Sequence, residues 1–197
     1  MILEGMVTTL DEAGALNVAP MGPVVDETMS TLLLRPFKTS QTYRNLKGHP
    51  QGVLHVVDDV LLLAKAAIGR LTNLPETFAA ESVEGRVLSQ ACRWYEFEVV
   101  ACDDSEDRTR IEARVVHVGR LRDVFGFNRA KHAVLEAAIL ATRLHILPRD
   151  EVQAEFARLQ IPVEKTAGPR EREAFALLES YVAEYDELHR SDQDNNE

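Results

Sequence analysis

The sequence predicts an α+β protein in which a small, mainly antiparallel β-barrel precedes a helical C-terminal part. Residues 1–121 contain six runs rich in β-branched and aromatic residues, joined mostly by short local connections. This arrangement favours a closed barrel over a sheet of βαβ units. Helical periodicity takes over beyond that point. We therefore expect a barrel domain in residues 1–124, a helical subdomain in residues 125–190 and a disordered polar tail in residues 191–197.

The composition is that of an ordinary globular protein of 197 residues, with 45% hydrophobic residues. Its net charge of −10 argues against a nucleic-acid partner, which would require clustered Lys and Arg. No apolar run approaches the roughly 18 residues that a membrane helix needs, and no signal-peptide pattern is present. Cys92 and Cys102 lack metal-type spacing and are expected to be buried thiols in a reducing compartment. These observations predict a soluble cytoplasmic protein without a membrane partner.

The first two predicted strands form a hairpin whose second strand contains prolines. Residues 2–9 and residues 15–25 are rich in β-forming types and are separated by a turn. Pro20 and Pro23 cannot donate to a central ladder, so the second strand must lie at an edge or bulge open near them. An opened strand would offer backbone groups to a planar polar ligand. Protection of a sheet edge explains the same prolines equally well.

The third predicted strand, residues 29–34, leads into a distinctive polar stretch. Residues 35–45 read RPFKTSQTYRN and combine three cations with hydroxyl and amide side chains. A phosphate requires such groups at the start of a helix, because its oxygens need hydrogen-bond donors and its charge needs a nearby cation. The alternative is a solvated loop in which Thr39 or Ser40 only caps a short helix. The residues by themselves leave both explanations open.

The barrel is completed by three more predicted strands. His55 lies inside the first of them, where a histidine is more often a hydrogen-bonded core residue than a ligand or catalyst. The loop over residues 71–86 is a candidate lid, and the acidic loop over residues 103–107 is expected to be solvated. The three strands are expected over residues 53–57, 87–101 and 109–121.

A long helix is predicted over residues 128–147, ended by Pro148, and two amphipathic helices follow it, the first of which is expected to end at residues 161–162. A narrow polar row runs along its otherwise apolar surface, formed by Arg129, His132, Glu136 and Arg143. An uncompensated buried charge costs several kcal/mol, so we expect the arginines and the glutamate to be paired. A structural clamp onto the barrel or a partner subunit is favoured over an active site.

The motifs of several common enzyme folds are absent from the sequence. There is no G-x-G-x-x-G after a strand, no G-x-x-x-x-G-K-(S/T), no G-x-S-x-G and no H-E-x-x-H. These absences disfavour a classical dinucleotide fold, a nucleotide hydrolase, a common serine hydrolase and a zinc protease. No metal site is expected, and the polar stretch over residues 35–45 is left as the candidate ligand site.

Residues 17–22, NVAPMG, resemble the N-x-A-P-(M/F)-(G/S) strand of the flavin reductase-like FMN-binding split barrels. Residues 35–45 resemble the following strand-to-helix segment of that superfamily, which ends in T-x-x-N. Residues 127–130, together with Glu136 and residues 141–143, are similar to the helical extension of domain-of-unknown-function family 447 in the same superfamily. The resemblance covers nearly the whole chain, and the order and spacing of the motifs make it more specific than any single motif.

This resemblance implies a six-stranded antiparallel FMN-binding split barrel, a homodimer, and FMN near the subunit interface. It assigns the phosphate and ribityl end of the cofactor to Lys38, Thr39, Ser40, Thr42 and Asn45, with Arg35 as a further contact. It assigns the isoalloxazine ring to the backbone of Asn17, Ala19, Pro20, Met21 and Gly22.

The resemblance also suggests the kind of function. An FMN-dependent oxidoreductase that accepts hydride, for example from a reduced nicotinamide, or acts on another small molecule is the first hypothesis. The second is a non-catalytic flavin-binding or partner-binding module, and the third is an unliganded structural dimer. Families of this kind tend to occur alongside pterin-linked one-carbon metabolism. No side chain is identified as catalytic, and Arg143 and His55 are only weak candidates for an acid or base.

Overall fold

The computed structural model describes the backbone of residues 1–194 and the side chains of residues 1–188. The described chain forms two compact units, one from residues 1–58 with 73–125, and one from residues 59–72 with the chain from residue 126. In chain order the elements are β1 (Gly5–Leu10), β2 (Leu16–Met21), β3 (Val24–Val25), β4 (Thr31–Leu34), α1 (Gln41–Gly48), β5 (Gln51–Val56), α2 (Val60–Ala67), β6 (Thr77–Ala79), β7 (Arg86–Leu88), β8 (Arg93–Asp103), β9 (Arg110–Arg120), α3 (Arg129–Ala141), α4 (Arg149–Thr166) and α5 (Pro169–Asp194).

The first unit is built on one antiparallel sheet with the strand order β2-β1-β5-β8-β9-β4-β3. Only Gly22 and Pro23 separate the two outer strands, so these strands lie close together and the sheet curls into a half-barrel. Ile2 forms a bridge to Val24, which ties the N-terminal segment to this closure. The predicted split-barrel architecture is confirmed. The sheet has seven strands instead of six, because the Gly22–Pro23 step divides the second predicted strand into β2 and β3.

Both faces of the central strands are buried, and all six residues of β1 are buried. Large apolar side chains such as Leu54 and Phe97 fill the inner side of the curled sheet. The β6–β7 hairpin covers the outer side, where Val87 packs against Trp94. The segment predicted as a lid therefore contains a strand and forms part of the hydrophobic core. The predicted strand over residues 87–101 is two strands, because a turn follows Leu88.

The second unit is helical. Helix α2 packs against α3 and α5, and α3 packs against α4. Ion pairs join α2 to α5 on the surface, including Lys65 with Glu173 at 3.5 Å. The sequence-based division at residue 124 had placed residues 59–72 with the barrel, but the apolar face of α2 is buried among the helices instead.

The helix ends differ from the prediction at three places. Helix α3 stops at Ala141, and turns occupy the residues up to Pro148. Helix α4 continues through Pro162 to Thr166, whose hydroxyl donates to the Pro162 carbonyl at 2.8 Å. Helix α5 extends to Asp194, into the predicted tail, and residues 195–197 lie outside the described residues. Among the described helices, none combines the length and the apolar character that crossing a membrane requires.

Candidate functional site

The turn after β4 is held in place by the β8–β9 hairpin. The Pro36 carbonyl accepts from the backbone N–H of Thr109 at 3.0 Å and from its hydroxyl at 2.8 Å. The Lys38 N–H donates to the Asp107 carbonyl at 2.9 Å. The side chain of Phe37, 54% exposed, lies against Arg108, with the guanidinium carbon 5.5 Å from the ring centroid. These hydrogen bonds and the ring contact fix the backbone of the segment that carries the predicted phosphate ligands.

Helix α1 begins directly after this turn. The Ser40 hydroxyl oxygen accepts from the Tyr43 N–H at 3.2 Å, so Ser40 is the N-cap. Thr39 is exposed, and its carbonyl accepts from the Arg44 guanidinium at 2.7 Å. The first N–H groups of any helix have no partner within the helix. The capping role predicted as an alternative is therefore present, and the start of α1 still offers donors to an anion.

Two cations of this segment have unused hydrogen-bonding capacity. The Nε of Arg35 is buried and has no hydrogen-bond partner in the described part of the chain. Lys38 is half-buried, and its ammonium group forms no ion pair with any described residue. An unpartnered buried donor is costly, and native proteins rarely leave one without a reason. The turn therefore has the donors that an anionic group would satisfy.

Thr42 and Asn45 are almost fully buried, with 2% and 3% of their surface exposed. Asn17 donates to Thr42 at 3.1 Å and to Thr9 at 3.2 Å, and Asn45 donates to Thr9 at 3.0 Å. The Asn45 side-chain Oδ1 accepts from the Gln41 side-chain Nε2 at 2.6 Å. The structure thus brings the NVAPMG strand and the T-x-x-N helix together, through side chains that bond to one another. That these three residues also contact FMN stays a prediction.

A second set of contacts joins α1 to the tip of the β8–β9 hairpin. Asp104 accepts from the Tyr43 hydroxyl at 2.6 Å and from the Lys47 ammonium at 2.5 Å. Hydrogen bonds from Lys47 and Tyr43 lower the pKa of Asp104 to about 2. The same bonds to Asp104 raise the pKa of Tyr43 and the pKa of Lys47. The expectation that the acidic loop is only solvated was wrong, because its Asp104 binds residues of the cation-rich helix.

The predicted ring-binding segment lies on β2, at the edge of the sheet. Its residues are half-buried, and within the described chain no strand pairs with the outer side of β2. The pairing with β1 is continuous, with Pro20 opposite Met6, so the edge position explains the proline and no bulge is present. A Cβ atom on Gly22 would lie 2.8 Å from a Glu4 carboxylate oxygen and 2.9 Å from an Ile2 methyl group. Both contacts are with exposed side chains that can shift, so the chain's own packing is tight here but does not by itself require a glycine.

A cavity of about 350 Å³ lies between the β1–β2 turn and α1, but it does not coincide with the predicted phosphate site. Among the predicted ligands, Asn45 alone borders it within the described chain. The lining residues are Asp11, Glu12, Ala13, Gln41, Arg44, Asn45 and Gly48.

His55 is a structural residue of the sheet. It is fully buried, its Nε2 accepts from the Leu88 N–H at 3.1 Å, and its Nδ1 lies 3.1 Å from the Met6 carbonyl. This pairing assigns the proton of the neutral ring to Nδ1. Burial lowers the pKa of His55 to about 4. The prediction of a hydrogen-bonded core histidine is confirmed, and the histidine has no exposed nitrogen for proton transfer.

Sequence reasoning missed Glu96, a fully buried carboxylate on β8. It accepts from the backbone N–H groups of Glu81, Ser82 and Val83 at 2.9, 2.6 and 3.1 Å, and from the Trp94 indole at 3.0 Å. Burial opposes its ionisation, but these hydrogen bonds lower the pKa of Glu96 overall. The alternation of β8 could have indicated that Glu96 lies on the same face of the sheet as the buried Trp94. The partners could not be foreseen, because they are backbone groups of a loop.

The predicted polar row on α3 is exposed to solvent and not clamped. Arg129, His132 and Glu136 are all exposed on the helix, and Arg143 lies beyond its end. None of the three charged residues has an ion pair within the described chain. The expectation of a paired row was wrong for the single chain, since the apolar face of α3 is turned inward and this row outward. Cys102 also differs from prediction, because it is exposed while Cys92 is buried.

Metal binding finds no support in the residues that the structure describes. No group of three or more His, Cys, Asp or Glu side chains among them is arranged to hold a metal ion.

Comparisons with known proteins agree with the fold. Family models for the N-terminal domain and for the second part of DUF447, a protein of unknown function, match residues 3–122 and 128–180. The FMN-bound DUF447 protein from Methanosarcina mazei has a similar structure, with a TM-score of 0.77 and 23% identity over 91% of this chain and 94% of that chain.

More distant flavoproteins share the barrel. Flavoredoxin from Methanosarcina acetivorans superimposes with a TM-score of 0.53 and 12% identity, over 61% of this chain and 69% of its own. The styrene monooxygenase flavin reductase from Pseudomonas putida S12 gives a TM-score of 0.52 and 15% identity, over 60% of this chain and 80% of its own. Likeness at these identities shows a shared fold. The family resemblance drawn from the sequence motifs is confirmed.

Proposed function

The chain belongs to the DUF447 family of proteins of unknown function, and from that premise we propose that it binds FMN at the turn between β4 and α1. We further propose that it is a flavin-dependent oxidoreductase. The observation that supports FMN binding most directly is the buried Nε of Arg35, which has no partner in the described chain. A phosphate oxygen is the type of acceptor that such a guanidinium group binds most strongly.

The donor set around this turn fits a phosphate monoester. Lys38 supplies a second cation without an ion pair in the described chain, and Thr39 supplies an exposed hydroxyl. The start of α1 adds backbone N–H groups and a favourable helix dipole. Ser40 orients these groups as the N-cap. Charge neutralisation and hydrogen-bond donation are thus provided by adjacent residues of one short segment.

The remaining predicted residues take supporting roles in this proposal. Asn17, Thr42 and Asn45 hold α1 against the β1–β2 hairpin through their mutual hydrogen bonds. The half-buried backbone of β2, from Ala19 to Gly22, is where the isoalloxazine ring would lie along the edge of the sheet. A free strand edge can bond to the polar groups of a flat ring, as it would to another strand.

When bound, FMN supplies hydride or electron transfer, and the protein contributes binding, orientation and electrostatics. Around the turn, Arg35 and Lys38 would balance the phosphate charge. The buried His55 is bonded on both ring nitrogens and is therefore not available to move a proton to or from a bound flavin. The proposal therefore assigns all redox chemistry to the flavin. It includes a small-molecule substrate or reduced nicotinamide as the reaction partner, and a homodimer with the flavin near its interface.

The first experiment measures FMN affinity of the apo-protein by fluorescence quenching. We expect one flavin per chain and an absorbance maximum at about 450 nm. Lys38→Ala should weaken binding by roughly 1.5 to 3 kcal/mol, because a charge-assisted hydrogen bond to phosphate is lost. Arg35→Lys keeps the charge and loses the Nε donor, so it should also weaken binding. Lys47→Ala is the matched control, because Lys47 is already paired with Asp104. Equal affinities for Lys38→Ala and Lys47→Ala would remove the assignment.

A non-catalytic flavin carrier is the second candidate function, and it is favoured by the full hydrogen bonding of His55, which leaves this candidate acid or base without a free ring nitrogen. Anaerobic addition of NADH or NADPH to the flavin-loaded protein separates the two candidates. Bleaching of the flavin absorbance at a rate well above that of free FMN supports the oxidoreductase. A flavin that stays oxidised with both nicotinamides, but binds tightly, supports the carrier.

A further inference from the structure

The exposed row on α3 is the polar feature that FMN binding does not explain. Arg129, His132 and Glu136 occupy one side of the helix at spacings of three and four. We call these three residues the α3 polar face. All three are exposed, and the two charged residues have no ion pair within the described chain. Another charged residue of the same helix behaves differently, because Lys131 forms an ion pair with Glu171 at 3.1 Å.

An exposed aromatic ring lies beside this face. Phe127 is 99% exposed, and its ring stands edge-on to His132 with 6.0 Å between the ring centroids. Half-buried Ile139 and Leu140 flank the face farther along the helix. A fully exposed phenylalanine within a polar rim is typical of surfaces that become buried on association.

The charges of this face are complementary to their own copy. Arg129 and Glu136 are seven residues apart, or about 10 Å along the helix axis. In an antiparallel helix pair related by a two-fold axis, each residue meets the position that mirrors it across the axis. An axis beside His132, midway between the two charged residues, would therefore bring each arginine opposite a glutamate. Two ion pairs arise from one contact, and no like charges meet.

We propose that α3 packs antiparallel against α3 of a second copy of this chain. In this contact Arg129 lies opposite the second copy's glutamate of the α3 polar face, and the Phe127 rings of both copies are buried near the two-fold axis. This register is favoured over one that uses Arg143, because Arg143 lies beyond the end of the helix. It also places the most exposed aromatic ring beside the axis, where a contact buries it. The contact does not depend on flavin binding and would exist in the apo-protein.

The size of this contact determines how it can be measured. A helix of 13 residues is about 20 Å long, and two such helices cover less than the roughly 1,200 Å² of a standard stable interface. The helix pair alone is therefore a weak contact, or it is one part of a larger dimer. Its test must report the proximity of the two helices, independently of the total mass of the assembly.

Disulfide trapping provides such a test on the full-length chain. With Cys102→Ser removing the exposed native thiol, His132→Cys places one thiol of each copy next to the proposed axis. We expect mild oxidation to give a covalent dimer at least tenfold faster than Ser180→Cys in the same background. Ser180 is the matched control, because it is also exposed on a helix of the same unit. Equal rates for the two positions would overturn the proposal.

Charge reversal then tests the register. Arg129→Glu and Glu136→Arg, each combined with His132→Cys, should each slow trapping about tenfold or more, because two attractive pairs become repulsive. A mixture of these two variants should form the mixed dimer rapidly, since both pairs would then join a carboxylate of one copy to a guanidinium of the other. Arg143→Glu combined with His132→Cys should form the covalent dimer at the same rate as His132→Cys alone. Failure of the mixture to recover contradicts the antiparallel pairing, and recovery also shows that both variants fold.

Discussion

Two polar regions of the barrel unit use ionisable residues in opposite ways. Beneath the β6–β7 hairpin, His55 and Glu96 are fully buried and every polar atom has a partner. At the turn between β4 and α1, Arg35 has a buried donor without a partner in the described chain, and Lys38 forms no ion pair there. Burial and charge alone therefore do not separate a structural cluster from a binding site. The unused hydrogen-bonding capacity does.

This difference follows from what surrounds each group. Glu96 faces the backbone N–H groups of a loop that belongs to the same chain, so the chain supplies the donors that a buried carboxylate needs. The turn after β4 leaves donors unused, because the buried Nε of Arg35 has no partner and Lys38 forms no ion pair within the described chain. Such a set becomes satisfied only when an acceptor arrives. The two regions should respond differently to mutation, to pH and to ligand.

The largest effect is expected at Glu96. Glu96→Ala leaves three buried backbone N–H groups and the Trp94 indole without an acceptor, which should reduce the free energy of unfolding by roughly 3 to 5 kcal/mol. Urea denaturation followed by tryptophan fluorescence measures the loss. FMN affinity, measured without urea on fully folded protein, should stay within about twofold of the wild type.

The control for this prediction is Glu98→Ala on the same strand. Glu98 is partly exposed and pairs with Arg114 at 3.4 Å, so its removal should cost within about 1 kcal/mol. The folded state lowers the pKa of Glu96, so its contribution is present above the pKa of the unfolded carboxyl and is lost as the pH falls through the folded value. Comparable losses for the two variants would show that Glu96 is not the anchor of the loop.

The next largest effect is the acid sensitivity caused by His55. Burial lowers its pKa from the ordinary value of 6.5 to about 4, so the unfolded imidazole binds a proton that the folded one does not. Stability is therefore complete above pH 6.5, decreases as the pH falls towards 4, and loses about 3 kcal/mol over that interval. His55→Gln keeps one donor and one acceptor and should remove this slope. His145→Gln, at an exposed position, should leave the slope unchanged when both are unfolded across the same pH range.

The sequence predicted the sheet well, because strand pairing in a local antiparallel fold follows from turn positions and alternation. Pro20 predicted either an edge position or a bulge for β2, of which the edge is observed, and the core role of His55 followed from its apolar neighbours. The motifs also indicated that residues 17–22 and 35–45 belong to one site. The T-x-x-N pattern could not reveal that Thr42 and Asn45 bond to Asn17 and Thr9.

Other features could not be predicted from the sequence, because they depend on which secondary-structure elements come into contact in the folded chain. Glu96 has as partners backbone groups more than ten residues away, and Asp104 binds Lys47 across 57 positions. Periodicity places a residue on a face, but it does not say whether that face meets another element or solvent. The polar row on α3 was expected to be buried because most of the helix is apolar, yet Arg129 and Glu136 are exposed.

A smaller effect is expected where the two segments of the site join. Thr42→Val keeps the shape of the side chain and removes the hydroxyl that accepts from Asn17 at 3.1 Å. The loss of one buried hydrogen bond should reduce the free energy of unfolding by about 1 to 2 kcal/mol. Thr42→Ser, which keeps the hydroxyl, is the control. If Thr42→Val weakens FMN binding while Thr42→Ser does not, and both are equally folded, the hydroxyl also serves the ligand.

The smallest effect is expected at Lys38, and it separates the two regions most sharply. With no ion pair in the described chain to lose, Lys38→Ala should change the free energy of unfolding of the apo-protein by less than about 0.5 kcal/mol. A ligand that binds only the folded state adds stability by mass action, about 2.7 kcal/mol at one hundred times its Kd. At a fixed FMN concentration the wild type and Lys47→Ala should therefore gain stability, and Lys38→Ala should gain much less. The opposite result would be a large loss of apo-protein stability in Lys38→Ala with an unchanged gain of stability from FMN. Lys38 would then belong with His55 and Glu96 among the structural residues, because its hydrogen-bonding capacity would already be used within the chain.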